Sequence, residues 1–112
     1  MGAYQGKVLE SEEEAREYIE ELIQAHPVIV FTKVHCPYCY QAKWAFDGIN
    51  VKYEDVVLTR RPDAPLIQDV LLKMTGARTV PRVFVNQKCI GGGYETSALK
   101  KEGKLKALVD GN

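Results

Sequence analysis

Residues 28–39 read VIVFTKVHCPYC, and their order decides the fold. Val28-Ile29-Val30-Phe31-Thr32 is a short apolar run rich in β-branched residues, closed off on its N-terminal side by Pro27, which predicts a buried strand. The period then changes. Pro37 suits the first turn of a helix, where its missing N–H costs nothing, and Ala42 to Phe46 continue that helix to a stop at Gly48. Cys36 therefore sits where a strand hands the chain to a helix, the arrangement of a redox C-x-x-C pair.

Outward from this centre, residues 11–25 (SEEEAREYIEELIQA) carry a capping box in Ser11 and Glu14, and Ala15, Tyr18, Ile19, Leu22 and Ile23 share one helical face. Val51 to Leu58 reads as a second strand. Arg61-Pro62-Asp63 reads as a turn, with Asp63 capping a helix that runs to Thr75 and ends at Gly76. Val83-Phe84-Val85 and Lys88-Cys89-Ile90 form a hairpin around Asn86-Gln87. After the break at Gly91-Gly92-Gly93 the chain is helical, with Leu99, Leu105 and Leu108 as apolar positions. The order αβαβαββαα describes an α/β chain. Its first strand–helix–strand unit pairs parallel and right-handed, its hairpin is antiparallel, and helices cover both faces of a mixed four-stranded sheet. At 112 residues the chain fits one domain, with residues 1–10 set apart as a mobile N-terminal extension.

Fifteen basic and fifteen acidic residues give a formal net charge of zero, which argues against a nucleic-acid partner. Arg60-Arg61 and Lys100-Lys101 are short runs and read as solvated surface. No apolar run approaches the roughly 18 residues of a membrane span, and the first ten residues lack the pattern of a secretory signal or transit peptide. Three cysteines, at 36, 39 and 89, are an odd count and do not suggest a disulfide scaffold. The cytosol is the expected compartment, and a monomer the expected state.

The chemistry turns on unequal cysteines. A thiolate, not a thiol, is the nucleophile. At a helix start, free N–H groups and the positive end of the helix dipole face the Cys36 sulfur, and Lys33 adds a cation three residues before it. Together these predict a Cys36 pKa lowered into roughly the 3.5–7.5 range of such sites. Cys39 lies about one turn on, within reach of Cys36 but less exposed, so Cys36 attacks and Cys39 resolves. The competing readings are half of a zinc site and a buried structural pair. Zinc takes four ligands, and Cys89, His26 and His35 supply no second closely spaced pair. His35 beside Cys36 invites a role as general base, yet a loop position favours simple exposure. Trp44 and Phe46 read as packing residues of the active-site helix, and Cys89 as a packed or semi-exposed bystander.

In these residues and in three motifs around them, the chain resembles the glutaredoxin family. FTKVHCPYC (31–39) is similar to the family's dithiol active site, with a Lys three residues before the first Cys. TGARTVPRVFV (75–85) resembles the segment carrying its Thr-Val-Pro motif, and IGG (90–92) its glycine turn. The resemblance implies a single thioredoxin-fold domain with sheet order 2-1-3-4. It implies a glutathione-dependent oxidoreductase that reduces protein disulfides and protein–glutathione mixed disulfides, with glutathione as co-substrate and no metal.

It further implies a cis peptide bond before Pro81, placing the Val80 backbone opposite Cys36 to pair with an extended glutathione. Lys33 and Gln68 meet the glycine end of glutathione by family likeness, with Arg78 a weaker candidate; without the resemblance Gln68 reads as an ordinary helix-surface residue. Tyr38, Thr79, Val80, Pro81 and Gly92 complete the expected site. The γ-glutamyl end lies at the start of the helix after the glycine turn. There the chain departs from the family with Gly93-Tyr94-Glu95. Glu95 keeps a carboxylate for the α-ammonium on a longer stem, Tyr94 is bulkier than usual, and Gly93 adds backbone freedom. A rival reading within the resemblance is an iron–sulfur cluster carrier, in which two chains share a cluster through Cys36 and two glutathiones. Pro37 argues against it by stiffening the motif.

Overall fold

β1 (Val28–Thr32) is buried at all five positions in the computed structural model, which describes residues 4–111. The reason is its place inside the sheet. It pairs in parallel with β2 (Glu54–Val57) on one side and antiparallel with β3 (Arg82–Val85) on the other. β3 pairs antiparallel with β4 (Lys88–Gly91), so the order is β2-β1-β3-β4, the 2-1-3-4 sheet expected.

The period-2 alternation of strands sorts β1 between two layers. Ile29 and Phe31 face α1 (Glu12–Ala25) and α3 (Ala64–Thr75), where they meet Ile19, Ile67, Leu71 and Phe84. Val28 and Val30 face the opposite layer of α2 (Pro37–Asp47), α4 (Gly93–Lys101) and α5 (Leu105–Val109). There they pack with Ala42, Ala45, Phe46, Val83, Val85 and Leu105. Burying such side chains supplies about 1.5–3 kcal/mol each, and both cores use the same central strand.

Sequence expectations change at β2, at Asp63, in the N-terminal segment, and at Arg61, which reads as solvated surface but is buried. β2 begins at Glu54 rather than Val51. The Val51 N–H instead donates to Phe46 O (3.1 Å) and closes the turn after α2, while Val51 and Tyr53 pack into the second core. Asp63 precedes α3 but makes no side-chain cap. Its carboxylate accepts from Arg61 Nε (2.8 Å) and Nη2 (3.1 Å) and from the Leu9 N–H (2.8 Å). That last bond revises the extension set apart at residues 1–10. Residues 1–3 lie outside the described residues, but Leu9 is buried in the first core and Tyr4 stacks on the Arg61 guanidinium, 4.5 Å from ring centroid to Cζ. The folded body thus begins before α1.

The Arg61–Asp63 pair is fully inside the protein, and hydrogen bonding from Arg61 holds the Asp63 carboxyl below its ordinary range against the opposing effect of burial. A carboxyl shifted down contributes stability that is present above its unfolded pKa and lost as pH falls through the folded value. Asp63→Ala leaves a buried guanidinium without its partner, and removal of one partner of a buried pair costs about 3–5 kcal/mol. Urea denaturation at neutral pH should show a loss of that size, with a flatter acid limb than wild type. A loss below about 1 kcal/mol, the range of surface pairs, would contradict this assignment.

Candidate active site

Cys36 is the N-cap of α2, in an extended conformation (φ −117°, ψ 105°), with Pro37 opening the helix. Its Sγ accepts the Cys39 N–H at 3.3 Å, a donor of the helix's first turn that the Cys36 carbonyl shares at 3.0 Å. Its thiol also faces the Val80 carbonyl, 3.9 Å away, across the cis Val80–Pro81 bond. Cys36 is half-buried and Cys39 fully buried, and all three cysteines are free thiols.

Burial pushes the Cys39 thiol up to about 12. Its hydrogen bond with Cys36 and the Cys36 charge push the same way, while the Lys33 backbone and the Lys43 ammonium oppose them. Lys43, one turn further along α2, is itself held by Asp55 of β2 at 2.9 Å, and the other Asp55 oxygen accepts from Thr32 Oγ1 at 2.6 Å. The two cysteines thus differ by depth and by what faces them, not by residue type.

A cavity of about 420 Å3 has in its lining Val80, whose carbonyl faces the Cys36 thiol. Tyr38 and Thr79-Val80-Pro81 form one part of its wall, and Gly92-Gly93-Tyr94-Glu95 another. The structure thereby brings together six of the residues expected from sequence: Tyr38, Thr79, Val80, Pro81, Gly92 and Glu95. Lys33, Gln68 and Arg78 lie outside this lining. Lys33 is half-buried and makes no ion pair with a described residue. Gln68, read from sequence alone as a surface residue, is buried, and its Nε2 donates to Arg78 O at 2.9 Å. The Arg78 guanidinium turns to Asp69 (3.1 Å) and Pro65 O (3.4 Å). Both side chains hold the loop that presents Thr79 and Val80.

α4 begins at the far wall with Gly92 as its N-cap. Glu95 Oε1 accepts the Gly92 N–H at 2.8 Å, and that bond, with the Glu95 N–H and the Arg82 charge, keeps the carboxyl below its ordinary range. One carboxylate oxygen is therefore committed to capping the helix. Gly93 does not use the backbone freedom expected of it, since its φ stays out of the left-handed region. Its role is steric: a Cβ there would run into the Tyr38 carbonyl oxygen, with Tyr38 Cβ 3.1 Å away, so the absent side chain lets α4 rest against the first turn of α2. Left-handed freedom is needed at Gly91 instead (φ 115°).

Sequence reasoning missed Arg82. It is buried, its Nε donates to Thr79 O (3.2 Å), and it lines the cavity beside Glu95. A charged residue between Pro81 and three apolar strand residues was the available signal. Tyr94, seen in the sequence only as a bulky departure, stands 71% exposed at the cavity mouth. His35 is exposed, in a left-handed conformation (φ 56°). Phe46 packs in the core as expected, but Trp44 is 67% exposed and stacks on Tyr40.

Comparison with known proteins places this geometry. The family model described as Glutaredoxin matches residues 28–90. The chain is 48% identical over 91 residues to the mitochondrial glutaredoxin-2 of Mus musculus, covering 81% of this chain and 58% of that protein. The chain therefore spans little more than half of that relative's length. Among solved structures it is similar to oxidized glutaredoxin 2 from Chlamydomonas reinhardtii, with 42% identity, TM-score 0.87, and coverage of 91% of this chain and 96% of that one. It is also similar to a buckwheat glutaredoxin–glutathione complex, with 34% identity, TM-score 0.84, and coverage of 89% and 91%.

The depth difference has a direct chemical readout. Brief treatment of the reduced protein with iodoacetamide near neutral pH should alkylate Cys36 and spare Cys39, read by peptide mapping. Equal labelling of the two would refute the asymmetry.

Proposed function

Since the chain belongs to the glutaredoxin family, we propose that it is a glutathione-dependent thiol–disulfide oxidoreductase. It reduces protein disulfides and protein–glutathione mixed disulfides, with Cys36 as nucleophile and Cys39 as resolving thiol. The observation that carries this reading is the inequality of the pair. Cys36 caps α2 with a helix N–H on its sulfur, while Cys39 is buried with its thiol pushed up to about 12.

On a protein–glutathione mixed disulfide, the Cys36 thiolate attacks the glutathione sulfur. The S–S bond breaks, the protein thiolate leaves and takes up a proton, and Cys36 carries glutathione. A second glutathione thiolate then attacks that sulfur, releasing glutathione disulfide and restoring the Cys36 thiolate. On a protein disulfide, the Cys36 thiolate attacks one protein sulfur, the S–S bond breaks, and the other protein sulfur leaves as a thiolate that takes up a proton. Cys39 then attacks Cys36, the protein sulfur bonded to it leaves, and the internal disulfide is reduced by two glutathiones.

The second route explains how a thiol with so high a pKa can act. Two of the influences raising Cys39 come from Cys36, through the hydrogen bond between them and through its charge. Once Cys36 is joined to substrate it carries no charge and has no thiol to share, so only burial still opposes ionisation, against Lys33 and Lys43. Cys39 is thereby kept quiet until a mixed disulfide forms.

In this proposal glutathione occupies the cavity between Val80 and α4. Its extended main chain pairs with the Val80 backbone, and its γ-glutamyl carboxylate meets the open N–H groups of Gly93 and Tyr94. The α-ammonium meets the Glu95 oxygen that does not cap the helix. That a similar glutaredoxin, from buckwheat, forms a complex with glutathione supports glutathione as the ligand. Lys33, which makes no ion pair with a described residue, meets the glycine carboxylate, while Gln68 and Arg78 serve by holding the loop. The setting proposed is a glutathione-containing compartment, the cytosol in the first instance.

Two single substitutions separate the roles. Cys36→Ser should abolish both activities. Cys39→Ser should abolish reduction of protein disulfides while retaining turnover of glutathione mixed disulfides. Activity surviving Cys36→Ser would sink the mechanism.

A further inference from the structure

A disulfide substrate has two halves, and Cys36 adjoins lining residues of two hollows. Its thiol faces Val80 in the cavity already described, and its neighbour His35 lines a second hollow of about 510 Å3. The lining of that second hollow is Val34, His35, Tyr40, Val57, Thr59 and Arg60. None of these residues has a part in the chemistry proposed above.

The hollow has fixed walls. The loop after β1 and the loop after β2 are tied by the Leu58 N–H to Thr32 O (2.8 Å) and by the Val34 N–H to Thr59 Oγ1 (2.9 Å). His35 (φ 56°) and Arg60 (φ 66°) both sit in the left-handed region, which residues other than glycine rarely adopt and which clusters at functional sites. Its surface is apolar and open: Val34 is 51% exposed, Val57 41% and Tyr40 39%, with exposed Trp44 stacked on Tyr40 at 6.0 Å between ring centroids. Apolar groups gathered on the surface beside a reactive thiol suit a protein partner.

Its charge is one-sided. The lining contains no Asp or Glu, and Arg60 makes no ion pair with a described residue. Asp55, on the same face of β2 as Val57, has both carboxylate oxygens engaged by Lys43 and Thr32. The hollow thus presents beside its apolar surface a positive charge that no described residue pairs.

We propose that this hollow seats the polypeptide flanking the cysteine of a glutathionylated protein. A bulky apolar side chain next to that cysteine rests on Val34, Tyr40 and Val57, and an acidic side chain faces Arg60. The inference rests on the oxidoreductase reading and adds the class of protein segment preferred. Glutathione takes the cavity on the Val80 side, and the protein takes the other.

The test uses short peptides that differ only in the residues around one cysteine: apolar–acidic, apolar–basic, or Gly/Ser. Each is glutathionylated for kinetics. A cysteine-to-serine form of each measures binding by the fluorescence of Trp44, the single tryptophan, which stacks on a lining residue. The mixed disulfide of glutathione with 2-mercaptoethanol serves as a substrate without peptide. Wild type should prefer the apolar–acidic over the apolar–basic peptide by about fivefold in kcat/KM, the upper range for one exposed charge pair. Arg60→Glu should reverse that preference, and Val57→Ser should weaken both apolar peptides. Neither change should alter turnover of the small mixed disulfide.

Normal turnover of the small substrate with no discrimination among peptides would overturn the inference. So would an Arg60→Glu effect confined to the KM for glutathione, which would assign the hollow to the reductant, or a dimer that Val57→Ser disperses. Failure to turn over the small substrate, with the peptide binding order intact, would instead count against the oxidoreductase reading and leave the docking surface supported.

Discussion

The N–H of Cys39, 3.3 Å from the Cys36 sulfur, is the contact on which the reactive end of the molecule depends. It exists because Cys36 is held as the cap of α2, and Cys36 is held there because β1 cannot move. Both faces of β1 are buried, in two different cores, and both of its edges are paired. α2 is seated on the same sheet by Ala42, Ala45 and Phe46, whose two alanines let the helix axis come close. Gly93 then brings α4 against the first turn of α2, and the β3 entry sets the Val80 carbonyl opposite the thiol.

From that one fixed point the inequality of the thiols follows. A cysteine at the cap faces open donors, whereas a cysteine one turn later is inside the protein. The Lys43–Asp55–Thr32 chain sits one further turn along α2 and ties it to β1 and β2. Its ammonium moderates the buried thiol, so the resolving group is restrained but not locked. Because strand alternation puts Asp55 and Val57 on the α2 side of the sheet, the arrangement that braces Cys39 also exposes Val57 beside Tyr40. The same end of the sheet thus offers thiol chemistry and a surface for the rest of a substrate.

Much of this was legible in the sequence because it rests on local rules. The apolar run 28–32, proline at a helix start, Ser11 as the cap of α1, and Gly76 as a helix stop all act within a few residues, and the structure places each where expected, although the Glu14 carboxylate completes no capping box and takes the Glu10 N–H instead of that of Ser11. What was not legible depends on partners distant in the chain. Asp63 reads as a cap until Arg61 and Leu9 claim its carboxylate. Gln68 reads as surface until the loop carrying Arg78 folds over it. Gly93 reads as flexible until the Tyr38 backbone occupies the space beside it. Val51 has a strand former's side chain, yet the turn after α2 takes its N–H. Arg82 joins the site only because β3 carries it in next to the cap of α4.

The central claim is that one thiol receives the substrate and the other only completes the exchange. It is tested most directly by locating glutathione in the first covalent intermediate, by mass spectrometry of reduced protein quenched with acid soon after mixing with one equivalent of glutathione disulfide. The account predicts glutathione on Cys36 first, followed by its release as the Cys36–Cys39 disulfide forms. In Cys39→Ser the Cys36 adduct should persist. A first adduct on Cys39, or on Cys89, would contradict it.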